Sequence, residues 1–451
     1  MRINISDLAE ECDFQIQRGD RDTWVRGVST DSRDIKQGEA FVALVGDRFD
    51  GHDFLREAAD AGAAAVVVEA GRLGDAAIDT VVITVPDTLQ ALGCIGRYWR
   101  RRCSAHVVAV TGSAGKTTTK DMIGSILQQA GAVTTTRENQ NNEIGVPQTL
   151  LRMGRNDDFC VLEFGMRAPG EIEYLVRISE PDIGLITNIG EAHIGRLGSR
   201  EAVAKAKAEM LPLLPEDGAA VLNADDFFFP LLSNMASAPV ISFGTTEADV
   251  TLTDVELLGV TGCRARLRLP GGSIEVTLQL PGRHNAMNAA AAAAVATAVD
   301  IAPDLIKAGL EAFEGHSMRS QTIQAGDVTI IHDAYNASPT SVPPALEVLG
   351  QAQGRKVFVF GDMLELGPAA EEAHREIGRL AVKHGVDLLI SVGQLGEYAA
   401  EEAEEEGVQI YHTSNAQEAA EIARDILQPG DTVLVKASRG MKLEIVVEAL
   451  T

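Results

Sequence analysis

Short apolar runs rich in valine and isoleucine alternate with stretches of helical periodicity along most of the chain. This is the pattern of parallel strands joined by helices that cover a sheet. A first block predicts strands at residues 41–44, 64–68 and 81–85 and a helix at about 52–62. Pro86 and Asp87 interrupt it, as a linker followed by a helix start would. A second block predicts strands at residues 106–110, 160–164, 184–189, 219–223 and 240–243. Between residues 250 and 280 the pattern changes to strict alternation (VTLTDVELL, CRARLRLP, SIEVTLQL) with Pro270, Gly271 and Gly272 at a turn, which predicts a small antiparallel insertion. An alanine-rich helix at about 286–299 follows. A third block predicts strands at residues 328–332, 356–360, 388–392 and 432–436, with helices at 370–384 and 416–427 between them.

The expected fold is therefore α/β in three domains. Residues 1–86 form a small α/β domain, and residues 87–315 a central, mostly parallel sheet with the antiparallel insertion. Residues 316–451 form a Rossmann-like domain without a Gly-x-Gly-x-x-Gly turn. A chain of 451 residues is too long for a single core, which agrees with this division. With 45% apolar and 23% charged residues, each domain has the material for its own core.

A formal net charge of -26 argues against a broad nucleic-acid-binding face, while leaving room for a pocket that takes a single nucleotide. The five cysteines (Cys12, Cys94, Cys103, Cys160, Cys263) are odd in number and lack C-x-x-C spacing. They are expected to be buried free thiols in a reducing compartment, with neither a disulfide framework nor a zinc site. The start MRINISDLAEECDF lacks the basic and apolar regions of a signal peptide, and the apolar stretch 289–299 is far short of the ~20 residues that span a bilayer. A cytoplasmic protein with no membrane insertion is expected. The acidic run 401–406 reads as a solvated helix face.

The segment HVVAVTGSAGKTTTK carries the chemistry: a buried-looking strand runs into Thr111, Gly112, Ser113, Ala114, Gly115, Lys116, Thr117 and Thr118, and then into a helix. Glycines let backbone N–H groups turn toward phosphate oxygens, the lysine neutralises the terminal phosphates, and the Thr117 hydroxyl suits magnesium. Val110 stands where the first glycine of the longer G-x-x-x-x-G-K-[ST] loop would be. The plain alternative is an ordinary glycine turn ahead of a helix.

This short form, T-G-x-x-G-K-T-T, resembles the ATP loop of the Mur ligases and their folylpolyglutamate synthase relatives. The family's other motifs follow in order over the whole chain: ENQNNEIGVP at 138–147, VLEFGMRAPGEI at 161–172, TNIGEAH at 187–193 and AKAKAEM at 204–210. The resemblance implies a three-domain, ATP- and Mg2+-dependent ligase that activates a carboxylate. By it, Glu163 and His193 join Thr117 as magnesium ligands, and Lys207 is the lysine that becomes carbamylated. Taken by themselves, Glu163 is a strand-end acid, His193 a loop histidine, and Lys205 or Lys207 a surface lysine.

The resemblance further implies that Asn285 and Asn288 of LPGRHNAMN contact adenine, although His284 or Asn285 also reads as a helix cap. Arg319 of HSMRSQ is similar to the arginine brought to the nucleotide phosphates, and Asp333 of HDAYNASPTS to the aspartate near the ribose. Without the resemblance, Asp333 opens a polar strand-to-helix turn with Ser338 and Pro339 starting the helix. Lys116, His193, Lys207 and Arg319 are thus the expected catalytic set.

The stretch VSTDSRDIKQGEAFVALVGDRFDGHDF resembles the UDP-binding domain of the family. It implies uridine-diphosphate contacts from Thr30, Asp31, Ser32, Arg33, Arg48, Asp50, Gly51 and His52, with Asn139 and Asn142 of the second motif joining them. A surface turn of mixed charge is the plainer reading. The chain lacks the D-N-P-R and D-Y-A-H-T-P motifs of third-step members, whereas HDAYNASPTS and FGDMLELG are similar to the members that add D-alanyl-D-alanine. The segment VKASRGMKLEIVV matches their K-G-S-R-x-x-x-M-E region only in part, with Ala437 in place of glycine and Leu443 near the usual methionine. Tyr335, Asn336, Ser438 and Arg439 are the implied dipeptide contacts.

The expected substrates are UDP-N-acetylmuramoyl-tripeptide and D-alanyl-D-alanine, joined through an acyl phosphate during peptidoglycan precursor synthesis by a monomer. Another Mur-type amino-acid ligase, or a P-loop nucleotide switch, are the alternatives. Whether lysine or diaminopimelate stands third in the acceptor peptide is left open.

Overall fold

The computed structural model describes residues 1–73, 78–191 and 194–451. They divide into two compact units. The first comprises residues 1–109, 131–166 and 170–182, and the second residues 110–130, 167–169 and 183–451.

In the first unit, β1 (Ile3–Asn4), β2 (Gln15–Arg18), β3 (Trp24–Val25), β4 (Val28–Ser29), β5 (Ala40–Val42), β6 (Ala65–Glu69) and β7 (Val81–Val85) form two sheets. One is the antiparallel pair β1–β3. The other has the order β2-β7-β6-β5-β4, parallel except for β2. Val66, Val68 and Val82 point to a core closed by Leu55 and Ala58 of the helix Leu55–Asp60. Asp87 caps the helix Thr88–Arg100 by accepting from Leu89 and Gln90 N–H (2.8 and 3.0 Å), as Pro86-Asp87 predicts.

The cysteine expectation requires correction. Cys12 and Cys94 form a disulfide, with Cα atoms 6.0 Å apart. The helix Ile5–Cys12 packs on the helix Thr88–Arg100, so residues 82 positions apart meet through tertiary packing that no spacing rule reveals. Cys103, Cys160 and Cys263 are buried free thiols, and burial pushes Cys160 up to about 12 and Cys263 to about 11.

After β8 (His106–Thr111), the first unit pairs β9 (Val133–Thr135) with β10 (Phe159–Glu163) in parallel, and in the second unit β11 (Ile183–Ile186), β12 (Ala219–Asn223), β13 (Val240–Gly244), β14 (Val250–Leu257), β15 (Cys263–Leu269) and β16 (Gly272–Leu278) lie in the order β16-β15-β14-β13-β12-β11. Only the β14–β15–β16 ladders run antiparallel among the pairings described, which is the predicted insertion. On β15, Ala265 and Leu267 face inward while Arg264, Arg266 and Arg268 face out. The alanine-rich helix Arg283–Ala298 is buried along most of its length, which suits a helix with almost no polar face.

The last sheet has the order β17-β18-β22-β19-β20-β21, built from β17 (Gln321–Ala325), β18 (Val328–His332), β19 (Lys356–Gly361), β20 (Leu388–Val392), β21 (Gln409–Thr413) and β22 (Thr432–Lys436). All its ladders are parallel except β17–β18. Helices cover both faces. Leu346, Ile377 and Ala399 close one core with Phe358 and Phe360, and Ala419, Ala423 and Val446 close the other with Val357 and Val433. The doubly wound architecture expected from the alternating pattern is thus present. Among the described residues no helix is long and apolar enough to cross a membrane.

Candidate active site

β8 is buried along residues 107–111 and delivers the chain into the glycine loop, and the helix Lys116–Leu127 leaves it. Gly112 adopts φ +152° and Gly115 φ +78°. A Cβ on Gly112 would stand 1.9 Å from Thr187 Oγ1, and one on Gly115 would stand 2.5 Å from Asn288 Oδ1, so neither position admits another residue without displacement.

The loop is braced by the segment after β11. Ser113 N–H donates to the Asn188 carbonyl (3.0 Å) and Ala114 N–H to Asn188 Oδ1 (2.9 Å). Asn188 Nδ2 and Thr187 Oγ1 both donate to the Ala114 carbonyl (3.0 and 2.7 Å), and Gly190 N–H donates to Ser113 Oγ (2.8 Å). Lys116 Nζ donates to the Gly112 carbonyl at 2.9 Å, folded back on its own loop. The loop is therefore a preformed cradle at a helix N-terminus, where partial positive charge favours anions. The bracing roles of Thr187 and Asn188 were not foreseen; their sole signal is membership of the TNIGEAH motif.

The helix Arg200–Ala208 starts at Ser199, which caps it by accepting from Ala202 N–H (3.1 Å). It separates the two lysines that periodicity alone leaves at the surface. Lys205 is exposed and pairs with Glu201 at 2.7 Å, whereas Lys207 is 2% exposed. Burial first, and the positive charge of Lys116 second, hold the Lys207 amine well below the ordinary lysine range. Thr117 is buried in the same unit. His193 lies outside the described residues.

In the first unit, Glu163 ends β10 and is 2% exposed. Its Oε1 accepts from Asn141 Nδ2 (2.8 Å), and its N–H donates to Thr136 Oγ1 (3.0 Å). The carboxylate is thus buried and oriented, not the exposed strand-end acid of the plainer reading. Among the described residues, no cluster of three or more His, Cys, Asp or Glu side chains is grouped as for a metal ion.

Asn288 reaches the phosphate loop at Gly115, and its Nδ2 donates to Asn285 Oδ1 (3.1 Å). Asn285 Nδ2 donates to the Pro281 carbonyl (2.8 Å). Neither His284 nor Asn285 caps the helix, whose cap position is Gly282. Burial pulls the His284 ring down to about 4, and its Nδ1 finds no partner among the described residues.

In the same unit, Arg319 lies between Met318 (φ +64°) and Ser320 (φ +51°), both in the left-handed region. Its guanidinium stacks 3.8 Å from the centre of the Tyr335 ring. Ser320 N–H donates to Asp333 Oδ1 (3.0 Å), so Arg319, Asp333 and Tyr335 are brought together. The cluster contains an unforeseen member: buried Lys436 at the end of β22 pairs with Asp333 Oδ2 (2.5 Å) and donates to the Asn336 carbonyl (3.0 Å). Ser338 is buried, and its hydroxyl meets that of Ser341 (3.1 Å). Ser438 is also buried: its Oγ accepts from Leu364 N–H (2.9 Å) and donates to the Ala337 carbonyl (3.4 Å). Arg439 stays half-exposed, paired with Glu444 at 2.7 Å.

The expected uridine-diphosphate residues occupy two loops that leave the carboxyl ends of neighbouring parallel strands, β4 and β5, a common place for a ligand in α/β sheets. Asp31 caps the turn Ser32–Asp34 and pairs with exposed Arg33 at 2.6 Å; hydrogen bonds from Arg33 pull its carboxyl down to about 2. Ser32 Oγ donates to Glu57 (3.1 Å). Thr30 Oγ1 accepts from Gln148 Nε2 (2.9 Å), another unforeseen residue, on the helix Gly145–Arg152. Asn142 Oδ1 accepts from Gly145 N–H (3.0 Å) where that helix begins, and Asn139 is exposed ahead of it. On the second loop Arg48 is exposed. His52 donates from Nδ1 to Asp50 (2.7 Å) and accepts at Nε2 from Glu69 N–H (3.0 Å), and Gly51 leaves no room for a Cβ against Ala43. Asp50, Gly51 and His52 therefore shape the loop.

Residues 25–100 match the Mur ligase family catalytic domain, 110–296 the Mur ligase middle domain, and 318–439 the Mur ligase glutamate ligase domain. The chain is 40% identical to the UDP-N-acetylmuramoyl-tripeptide–D-alanyl-D-alanine ligase of Bacillus subtilis (strain 168), covering 95% of this chain and 93% of that protein. Against the ligase of the same name from Escherichia coli (strain K12) it is 39% identical, covering 99% and 98%. A crystal structure of MurF from Acinetobacter baumannii superposes with a TM-score of 0.91 at 33% identity, covering 100% of this chain and 99% of that one. MurF ligase from Thermotoga maritima in complex with ADP superposes with a TM-score of 0.84 at 28% identity, covering 94% and 97%.

Proposed function

The chain belongs to the Mur ligase family, and on that premise we propose that it is an ATP-dependent ligase joining D-alanyl-D-alanine to the terminal carboxylate of UDP-N-acetylmuramoyl-tripeptide. The observation that carries the reading is the braced loop 111–118, with Lys116 at its rim, Asn288 against Gly115 and buried Lys207 near enough to feel the Lys116 charge. Such a loop holds a triphosphate before any substrate carboxylate arrives.

The tripeptide carboxylate attacks the γ-phosphorus, the bond to the bridging oxygen of ADP breaks, and an acyl phosphate forms. The dipeptide amine then adds to the activated carbonyl, loses its proton, and phosphate departs to leave the amide. Lys116, released from the Gly112 carbonyl, and Arg319 are assigned to the charge on the transferring phosphoryl group. Asp333, fixed by Ser320 N–H and Lys436, is assigned to the nucleotide ribose, and Asn285 and Asn288 to adenine. The loops at Thr30–Arg33 and Arg48–His52, with Asn139 and Asn142, are assigned to the uridine diphosphate. Tyr335, Asn336, Ser438 and Arg439 are assigned to the dipeptide side of domain 316–451.

Magnesium fits the donors available. The Thr117 hydroxyl and the buried Glu163 carboxylate are hard oxygen ligands of the kind it takes, and it would offset the negative charge of the phosphates. His193 is assigned as a further ligand. Carbamylation of Lys207 requires a neutral amine, the form its burial favours. We place the reaction in the cytoplasm, carried out by a monomer.

The test is a phosphate-release assay with ATP and Mg2+, run with either acceptor alone and with both. Phosphate is expected only with both, together with a pentapeptide product by mass spectrometry. Release independent of the dipeptide, or absence of that product, overturns the assignment.

A further inference from the structure

The segment FGDMLELG has sequence likeness but no role in the mechanism above. It begins at the end of β19, and residues 362–366 lead to the turn Gly367–Ala369 and the helix Ala370–Lys383. Three buried side chains fix it. Asp362 accepts from Leu395 and Gly396 N–H (3.0 and 2.8 Å), anchoring the segment to the start of the helix Gly396–Glu405. His374 is fully buried; its Nδ1 donates to the Ala370 carbonyl (2.6 Å), which leaves Nε2 to accept from Met363 N–H (2.9 Å). Ser438 Oγ accepts from Leu364 N–H (2.9 Å). Two successive backbone donors are therefore each held by a different buried side chain.

What they hold is Leu364, whose side chain is 43% exposed. Its Cδ1 lies over Gly440, 3.1 Å from where a Cβ would stand, and Gly440 adjoins half-exposed Arg439. An exposed leucine alone means little. This one is clamped over the residue that follows Arg439, whose guanidinium pairs with Glu444, and a fixed apolar contact on such an arginine-bearing turn suits a small molecule with an apolar body and a carboxylate.

We infer that Leu364 is a specificity-determining contact for the methyl groups of the incoming dipeptide, and that His374 is the positioning residue that fixes the backbone leading into Leu364. The inference rests on the assignment of the dipeptide to this domain. A Cβ at Gly440 would press on Leu364 Cδ1 and shift it by a few tenths of an ångström.

The experiment measures KM and kcat separately for each substrate, with D-alanyl-D-alanine and glycylglycine as alternative acceptors. Leu364→Ala raises KM for D-alanyl-D-alanine about tenfold, narrows discrimination against glycylglycine, and leaves KM for ATP unchanged. His374→Asn, which keeps a donor near the Nδ1 position and loses the acceptor, gives the same pattern. His374→Gln, which restores an acceptor near the Nε2 position, returns KM toward the native value. Unchanged KM in Leu364→Ala, or parallel loss against every substrate, overturns the inference. Surface-exposed Leu364 keeps the test available should the His374 variants fold poorly. A native enzyme that makes no pentapeptide instead removes the functional assignment itself, so the two failures are told apart.

Discussion

Lys116 holds its own loop through the Gly112 carbonyl, a bond that the role proposed for it at the phosphates would require it to give up. Lys116→Ala is expected to lower kcat by about 10²–10³ while leaving affinity for the UDP-peptide intact, as read by steady-state kinetics and calorimetry. A kcat within a few-fold of native would remove Lys116 from the chemistry. Lys207 makes a different prediction. Its amine has a folded-state pKa below the ordinary 10.5, so between those two values the unfolded chain holds a proton that the folded chain does not. Stability therefore rises with pH through that window. Lys207→Met should be inactive yet more stable at pH 7 by about 1–3 kcal/mol, with the gap closing toward pH 10 in carbonate-free buffer. Melting curves showing a pH-independent gap would contradict this. At this scale the motifs of the sequence single out Lys116, Glu163, Lys207, Arg319 and Asp333 as candidates. It was silent on Asn188, Gln148 and Lys436, because their bonds to Ala114, Thr30 and Asp333 span 74, 118 and 103 positions and leave no local trace.

Elements were legible where a strand is buried on both faces. The strands Ala219–Asn223, Val328–His332, Leu388–Val392 and Thr432–Lys436 begin and end where apolarity predicts. β17 (QTIQA) and β21 (QIYHT) give no strand signal in the sequence, because edge strands exposed to water carry too few apolar positions. β11 is shorter than expected: it stops at Ile186, since Thr187 to Gly190 leave the ladder to brace the phosphate loop. Helix pairing yields a further expectation. The helix Pro303–Ala312 crosses the phosphate-loop helix at Gly309, where a Cβ would stand 2.3 Å from Ile126 Cα and where Ser125 Oγ donates to the Gly309 carbonyl (2.7 Å). Gly309→Ala should cost about 2–3 kcal/mol in urea titrations and weaken ADP binding in the same sample. Native stability in that variant would mean that the helices part without penalty.

For the whole molecule, three-block patterning foretold the α/β class and the antiparallel insertion, while the Cys12–Cys94 bridge was beyond reach of spacing arguments. Closing a loop of 82 residues stabilises the first unit by up to about 4 kcal/mol through the unfolded chain. Scanning calorimetry with and without dithiothreitol should show a lower first transition in the reduced sample. Five alkylatable thiols in the unreduced, denatured chain would rule the bridge out.

The helix Arg283–Ala298 lies between the phosphate-loop helix on one side and β12 to β15 on the other, and its buried positions are nearly all alanine. Methyl side chains make it a thin spacer, and its first two turns carry Asn285 and Asn288, the residues assigned to adenine. On that assignment its thickness sets how far its asparagine-bearing end stands from the phosphate loop. A single bulkier residue at Ala292 would act as a shim, widening that interval and weakening nucleotide affinity without touching any atom that meets ATP.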